Sequence, residues 1–139
     1  MTTSPQTEET NATLAWRAIY WGFLALFGVG AFVHLGLALF SPDSYQPFAD
    51  EALFGWVYDG WQNVFLAAPT LWATALGVGE LLVAVLLVRS RRIGYVAVVA
   101  FHLALMLFGW GFWLWSVPAL CFAVPAMIHE FRAARQPIR

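Results

Sequence analysis

Long apolar stretches separated by short polar ones dominate the chain. The first runs from about Arg17 to Phe40 and the second from about Thr70 to Val88. A third stretch, from Ile93 to Phe131, is about twice as long as the ~20 residues that one helical span needs. It predicts two spans with a turn between Gly109 and Trp115. The pattern therefore predicts an all-α polytopic membrane protein, with a four-transmembrane-helix bundle over residues 16–131.

Polar residues mark the two ends and the first loop. We expect residues 1–15 to be a disordered cytoplasmic tail and residues 132–139 a basic cytoplasmic tail. Residues 41–69 are too many for a simple connection. From Asp50 onward we predict an outer amphipathic helix that is either a lid over a cavity or a packing plug. Its apolar face would contain Leu53, Trp56, Val57, Trp61, Val64 and Phe65.

Composition agrees with a membrane location. The chain is 61% hydrophobic and 11% charged, whereas a soluble domain carries about 25% charged residues. All seven basic residues are arginines, and in the four-span arrangement all lie on one side of the membrane. The positive-inside rule then predicts a multi-pass plasma-membrane protein with both termini in the cytoplasm. The lipid bilayer is thus its main partner.

Charge and cysteine content exclude two classes of function. No basic patch is large enough for nucleic-acid binding. A single cysteine, Cys121, forms no intramolecular disulfide, so the lone chain is not a thiol–disulfide exchanger.

Three ionisable residues lie at membrane depth: His34, Glu80 and His102. Such groups are costly there, at about 2.5–3.5 kcal/mol for Asp or Arg at a helix centre, so they are the first candidates for chemistry. Counting residues from the helix ends places Glu80 and His102 near the midplane, where we expect them to pair. His34 would lie about 8–10 Å nearer the outer face at ~1.5 Å per residue. Small neighbours such as Gly30 and Gly77 indicate that His34 and Glu80 point into the bundle.

A buried acid beside an imidazole suits several roles. Glu80 and His102 would form a proton relay, a hydrogen-bonding site for a quinone cofactor, or a carboxylate that orients an imidazole. The structural alternative is a polar clasp between two helices. We expect no metal: His34, Glu80 and His102 have suitable ligand types, but their spacing is unfavourable.

The Glu80 region resembles the DoxX-like family of small four-helix membrane proteins. The resemblance rests on Gly77-Val78-Gly79-Glu80-Leu81-Leu82, on the apolar run that follows, and on Arg91-Arg92-Ile93-Gly94, which opens the next helix. It implies a helix-bundle protein that in some members is a subunit of quinone-linked oxidoreductase complexes or a partner of redox enzymes.

These observations give a leading hypothesis and two alternatives. The leading one is an integral membrane component of a quinone-linked electron- or proton-transfer system, in which Glu80 and His102 handle protons and His34 lies nearer the outer entrance. A non-catalytic scaffold would instead bind a partner membrane protein through its Gly/Ala faces. A small-solute or proton transporter would act as a homo-oligomer.

Overall fold

The protein is a bundle of long apolar helices. A computed structural model describes the backbone of residues 5–135 and the side chains of residues 13–135. Within these residues there is no strand, and four helices are long and apolar enough to cross a membrane. The all-α, four-span prediction is therefore confirmed. The α-helices are α1 (Pro5–Phe40), α2 (Gly55–Gly60), α3 (Pro69–Arg89), α4 (Arg91–Leu105) and α5 (Trp110–Ala133).

The ends of the helices differ in part from the sequence prediction. Helix α1 begins at Pro5, so the predicted disordered tail is wrong for residues 5–15, while residues 1–4 lie outside the described residues. At the other terminus α5 continues to Ala133, and residues 136–139 of the predicted basic tail are not described. The turn between α4 and α5 falls at Gly109, as expected, because its φ of 98° is a left-handed conformation that favours glycine.

The long helices pack in sequence, and the side of the bundle between α1 and α5 has few contacts. Helix α1 packs mainly against α3, α3 against α4, and α4 against α5, while α1 and α5 make little contact. Aromatic and branched side chains from α1, α3 and α4, including Phe27, Leu87, Tyr95 and Val98, form the main core, to which α5 adds Ala123 and Ala126. Burial of these side chains positions the polar residues of α1 and α3 relative to one another.

Contacts at one end of the bundle bring the arginine-bearing helix termini together. The Arg91 guanidinium lies 3.5 Å from the Glu130 carboxylate and 4.3 Å from the centre of the Tyr20 ring. Trp16 of α1 stacks on His129 of α5, with ring centres 4.6 Å apart. We call this the arginine end, and it contains Trp16 and Tyr20 of α1, Arg91 of α4, and His129 and Glu130 of α5.

Residues 42–65 form a helical cover at the opposite end. A 3-10 helix (Pro42–Ala49) is followed by the short α2 and by a π-helical turn (Trp61–Phe65). We call these residues the cover segment. The main-chain N–H of Leu53 donates to the Leu107 carbonyl at 2.9 Å, which joins the segment to the α4–α5 turn.

The predicted amphipathic helix is present in this segment, but it starts later and buries a narrower face. Helix α2 begins at Gly55 rather than Asp50. Val57, Trp61 and Phe65 are buried, because four-residue spacing puts them on one side. Leu53, Trp56 and Val64 were predicted on this face, but they are exposed. Part of the segment's apolar contact comes instead from the 3-10 helix, where Tyr45 and Ala49 are fully buried.

Candidate functional site

Helices α1 and α3 bring an acid and an imidazole together inside the bundle. Glu80 is only 7% exposed and points inward, as predicted. The sequence left the direction of His102 open, and this residue is only 4% exposed. Gly30 makes room for the acid, because a Cβ atom at this position would overlap the Glu80 carboxylate. At Gly77 a Cβ would lie 2.9 Å from the Ala31 carbonyl oxygen. Small residues therefore let α1 approach α3 closely at the level of the acid.

Glu80 pairs with His34 and not with His102. Its Oε1 atom lies 3.6 Å from Nε2 of His34, so the predicted separation of 8–10 Å in depth is wrong. Arg17 served as the lower end of the helix in that count, but α1 begins at Pro5. The count also neglected the reach of two side chains that face each other across a close contact. The polar pair that the structure assembles therefore lies between α1 and α3.

His102 occupies a separate, aromatic environment. Its Nδ1–H donates to the Val98 carbonyl at 2.9 Å, and the rings of Phe23, Phe27 and Phe101 surround it at 5.7–6.2 Å between centres. Within the described part of the chain no ion pair joins it to Glu80. The predicted Glu80–His102 pair is wrong because His102 was assigned by depth, whereas its direction around α4 aims it at α1.

Tyr45 extends the polar pair toward the cover segment. Its hydroxyl lies 2.5 Å from Nδ1 of His34, and the two rings stack with centres 5.7 Å apart. Trp61 fixes the tyrosine by donating its Nε1–H to the Tyr45 carbonyl at 2.9 Å. Glu80, His34 and Tyr45 thus form a continuous polar chain, which we call the acid–imidazole–phenol chain.

Burial keeps the phenol of this chain protonated. The Tyr45 side chain is fully buried. Its burial, with a further contribution from the negative charge of Glu80, raises the pKa of Tyr45 to about 12. At neutral pH the hydroxyl therefore carries its proton and is available to hydrogen-bond to His34.

Sequence reasoning missed Tyr45 because the residue lies in a stretch taken as a connection. The signal that could have found it is its residue type and its place before the amphipathic segment. Tyr45 precedes the amphipathic positions Trp61 and Phe65, and it is a buried aromatic residue with a polar tip. Such residues find a hydrogen-bond partner when buried.

A cavity of about 250 Å³ lies beside the acid–imidazole–phenol chain. Apart from His34 and Glu80, its walls are apolar and mostly aromatic, and they come from the cover segment and all four long helices. The lining residues are His34, Phe48, Trp61, Leu76, Glu80, Phe101, Leu105, Phe108 and Phe112. His102 and Tyr45 are not among them.

One carboxylate oxygen of Glu80 has no protein partner. Among the side chains that the structure describes, the buried Oε2 atom of Glu80 accepts and donates no hydrogen bond. Leaving a buried polar group unsatisfied costs about 1–3 kcal/mol. Glu80 therefore adds to an otherwise apolar cavity lining a carboxyl group whose hydrogen-bonding capacity the described residues do not fill.

The described residues do not assemble a metal centre. No three His, Cys, Asp or Glu side chains between residues 13 and 135 lie close enough to hold an ion. The set of His34, Glu80 and His102 is divided, because His102 faces the phenylalanine rings rather than Glu80.

Comparison with protein-family models, with curated proteins and with solved structures finds no match to this chain. The geometry of the cavity and of the acid–imidazole–phenol chain is therefore what indicates a function.

Proposed function

We propose that this protein binds the head group of a quinone in the Glu80 cavity and exchanges protons with it, as the membrane component of an electron- or proton-transfer system. The observation that carries the proposal is the buried Glu80 carboxyl group, which belongs to a residue lining an apolar cavity, whose Oε2 atom has no partner among the described residues, and which has an imidazole and a phenol behind it. The resemblance of the Glu80 region to the DoxX-like family agrees with this proposal.

The cavity suits a ligand with one ring. Its volume of about 250 Å³ is below the ~300–1,000 Å³ of sites that hold drug-sized ligands. Phe48, Trp61, Phe101 and Phe108 supply ring faces and edges for stacking. A lipid-soluble ring reaches such a site from the membrane, which is where quinones partition.

The Glu80 carboxyl group would orient the quinone ring and supply a proton to it. In its neutral form Glu80 donates a hydrogen bond to a ring carbonyl, and in its ionised form it accepts one from a ring hydroxyl. A bound quinone contributes redox chemistry, taking up two electrons and two protons to become the quinol. The electrons would come from a redox enzyme that associates with this chain in the membrane.

His34 and Tyr45 would replace the proton that Glu80 gives up. The 3.6 Å between Glu80 and His34 exceeds the ~2.7–3.2 Å of a hydrogen bond, and catalytic hydrogen bonds commonly shorten when a ligand binds. Protonated His34 would then pass a proton to Glu80 and recover one through the Tyr45 hydroxyl. The acid–imidazole–phenol chain thus leads from the cavity toward the cover segment.

The cover segment separates this chain from the membrane surface. Trp61 both lines the cavity and holds the Tyr45 carbonyl, so the segment is part of the site rather than a distant plug. We propose that it acts as a lid. We also propose that the arginine end faces the cytoplasm of a plasma-membrane protein, which would place the cover segment and Tyr45 on the outer side.

Binding of a short-chain quinone to the purified full-length protein tests the proposal. Extraction of the purified protein should yield one quinone per chain. Titration with the short-chain analogue should likewise give one binding site per chain. Glu80→Leu should weaken binding about tenfold, since one hydrogen bond of about 1–1.5 kcal/mol is lost. Glu80→Gln should retain the hydrogen bond but remove the pH dependence of binding, because an amide releases no proton.

Glu51→Leu is the matched control, since Glu51 is an exposed acid at the same end of the bundle. It should bind the quinone as the wild type does. Absence of any quinone binding, or equal losses in the Glu80 and Glu51 variants, would refute the proposal. A stoichiometric partner protein that co-purifies with a quinone-free chain would favour the scaffold alternative.

A further inference from the structure

Two mainly apolar cavities follow one another along α1 and α5, away from the Glu80 cavity, and we refer to them together as the groove. One part, of about 370 Å³, lies between Ala18–Leu26 of α1 and Pro118–Phe122 of α5. The next part, of about 580 Å³, lies nearer the arginine end, between Trp16 and the stretch Pro125–Ala133. The groove exists because these two helices make little direct contact.

The groove is long enough to hold an acyl chain across one leaflet. From Pro118 to Arg132 helix α5 advances by about 21 Å at ~1.5 Å per residue. Half of the hydrocarbon core of a bilayer is about 15 Å thick. The groove therefore extends from the arginine end beyond the depth of a single leaflet.

A cation and two amphipathic rings stand at the mouth of the groove. Arg132 lines it, and among the described side chains Arg132 forms no ion pair. The neighbouring acid, Glu130, is instead held by Arg91 at 3.5 Å. Trp16 and His129, stacked at 4.6 Å, form the adjoining wall at the level where amphipathic rings meet lipid head groups.

We propose that this groove binds an anionic phospholipid, with one acyl chain along the groove and the phosphate at Arg132. Charge complementarity selects this occupant. The mouth offers an uncompensated guanidinium, a natural bidentate partner of phosphate, and a basic pocket between helices at a membrane surface is typical of acidic-lipid sites. A zwitterionic lipid would bring its own cation to the same place.

Lipid retention by the full-length protein tests this assignment. The protein is exchanged into detergent with equal amounts of phosphatidylglycerol and phosphatidylcholine of identical acyl chains, and bound lipid is counted by native mass spectrometry. The wild type should retain phosphatidylglycerol about fivefold over phosphatidylcholine, as expected for one basic side chain near anionic lipid. Arg132→Gln should reduce this preference to near unity.

Two further variants separate the groove from general surface charge. Arg92→Gln removes an exposed cation at the same end that does not line the groove, and it should keep the preference. Gly22→Leu fits sterically, since a Cβ there meets no atom within 4 Å, and its side chain should displace both lipids from the groove.

Three results would overturn the proposal. Arg132→Gln could behave as the wild type, Arg92→Gln could lower the preference equally, or Gly22→Leu could leave lipid retention unchanged. A lipid-free dimer that Gly22→Leu converts to monomer would assign the groove to a second copy of the chain. Thermal unfolding of each variant within a few degrees of the wild type excludes misfolding as the cause.

Discussion

Replacing Tyr45 by Phe is the sharpest test of the acid–imidazole–phenol chain. The change removes one hydroxyl from a fully buried ring and leaves the ring contacts with Phe48 and Phe65 in place. Nδ1 of His34 then loses the partner that lies 2.5 Å away in the wild type. The substitution therefore isolates a single polar contact.

The size of the effect follows from burial. Interhelical hydrogen bonds in membrane proteins average about 0.6 kcal/mol, whereas a buried group left without a partner costs about 1–3 kcal/mol. Because the hydroxyl is buried and His34 is partly buried, we expect a loss of about 1 kcal/mol. For a chain of this size that corresponds to a fall in Tm of about 3 °C.

Thermal unfolding in detergent, followed by tryptophan fluorescence, measures this change. Tyr58→Phe is the matched control, since Tyr58 lies in the same segment and is 43% exposed, so its Tm should stay within 1 °C of the wild type. Quinone binding should be retained in Tyr45→Phe, because Tyr45 does not line the cavity, while proton exchange should slow. Equal Tm values for the two variants would refute the reasoning.

Two further predictions concern the space around Glu80 and the titration of Tyr45. Gly30→Ala should displace the Glu80 carboxylate and weaken quinone binding about tenfold. Gly28→Ala is the control and should bind quinone normally, because a Cβ at Gly28 meets nothing within 4 Å. Equal quinone affinities of the two variants would contradict the assigned role of Gly30. Since the pKa of Tyr45 is raised from 10.0 to about 12 in the folded protein, its contribution to stability should be complete below pH 10 and lost as the pH rises through about 12. The unfolding temperature of the wild type should therefore fall relative to that of Tyr45→Phe over this interval, and a constant difference would contradict it.

The long-range pattern of the sequence predicted the spans, and local rules predicted several details. Apolar runs gave the four spanning helices, and Gly109 gave the turn between α4 and α5. Small neighbours on the same helix correctly indicated that Glu80 faces inward. These features depend on one helix at a time, so a single sequence contains enough information to predict them.

The partner of Glu80 could not be predicted in the same way. Whether His34 or His102 meets the acid depends on how α1 and α4 are rotated about their axes, and apolar spans surrounded by lipid carry little directional pattern. Tyr45 was missed because its burial depends on the cover segment folding back over the bundle. Pairings between elements, unlike the elements themselves, require the three-dimensional packing.

The main-chain hydrogen bond from Leu53 to Leu107 has a mechanical consequence. Because it joins two backbones, a side-chain replacement at either position keeps the donor and the acceptor, except for proline at position 53, which has no N–H. Any outward swing of the cover segment must rupture this bond or drag the α4–α5 hairpin along. A displacement of the segment would then be coupled to α5, which runs from this turn to the arginine end.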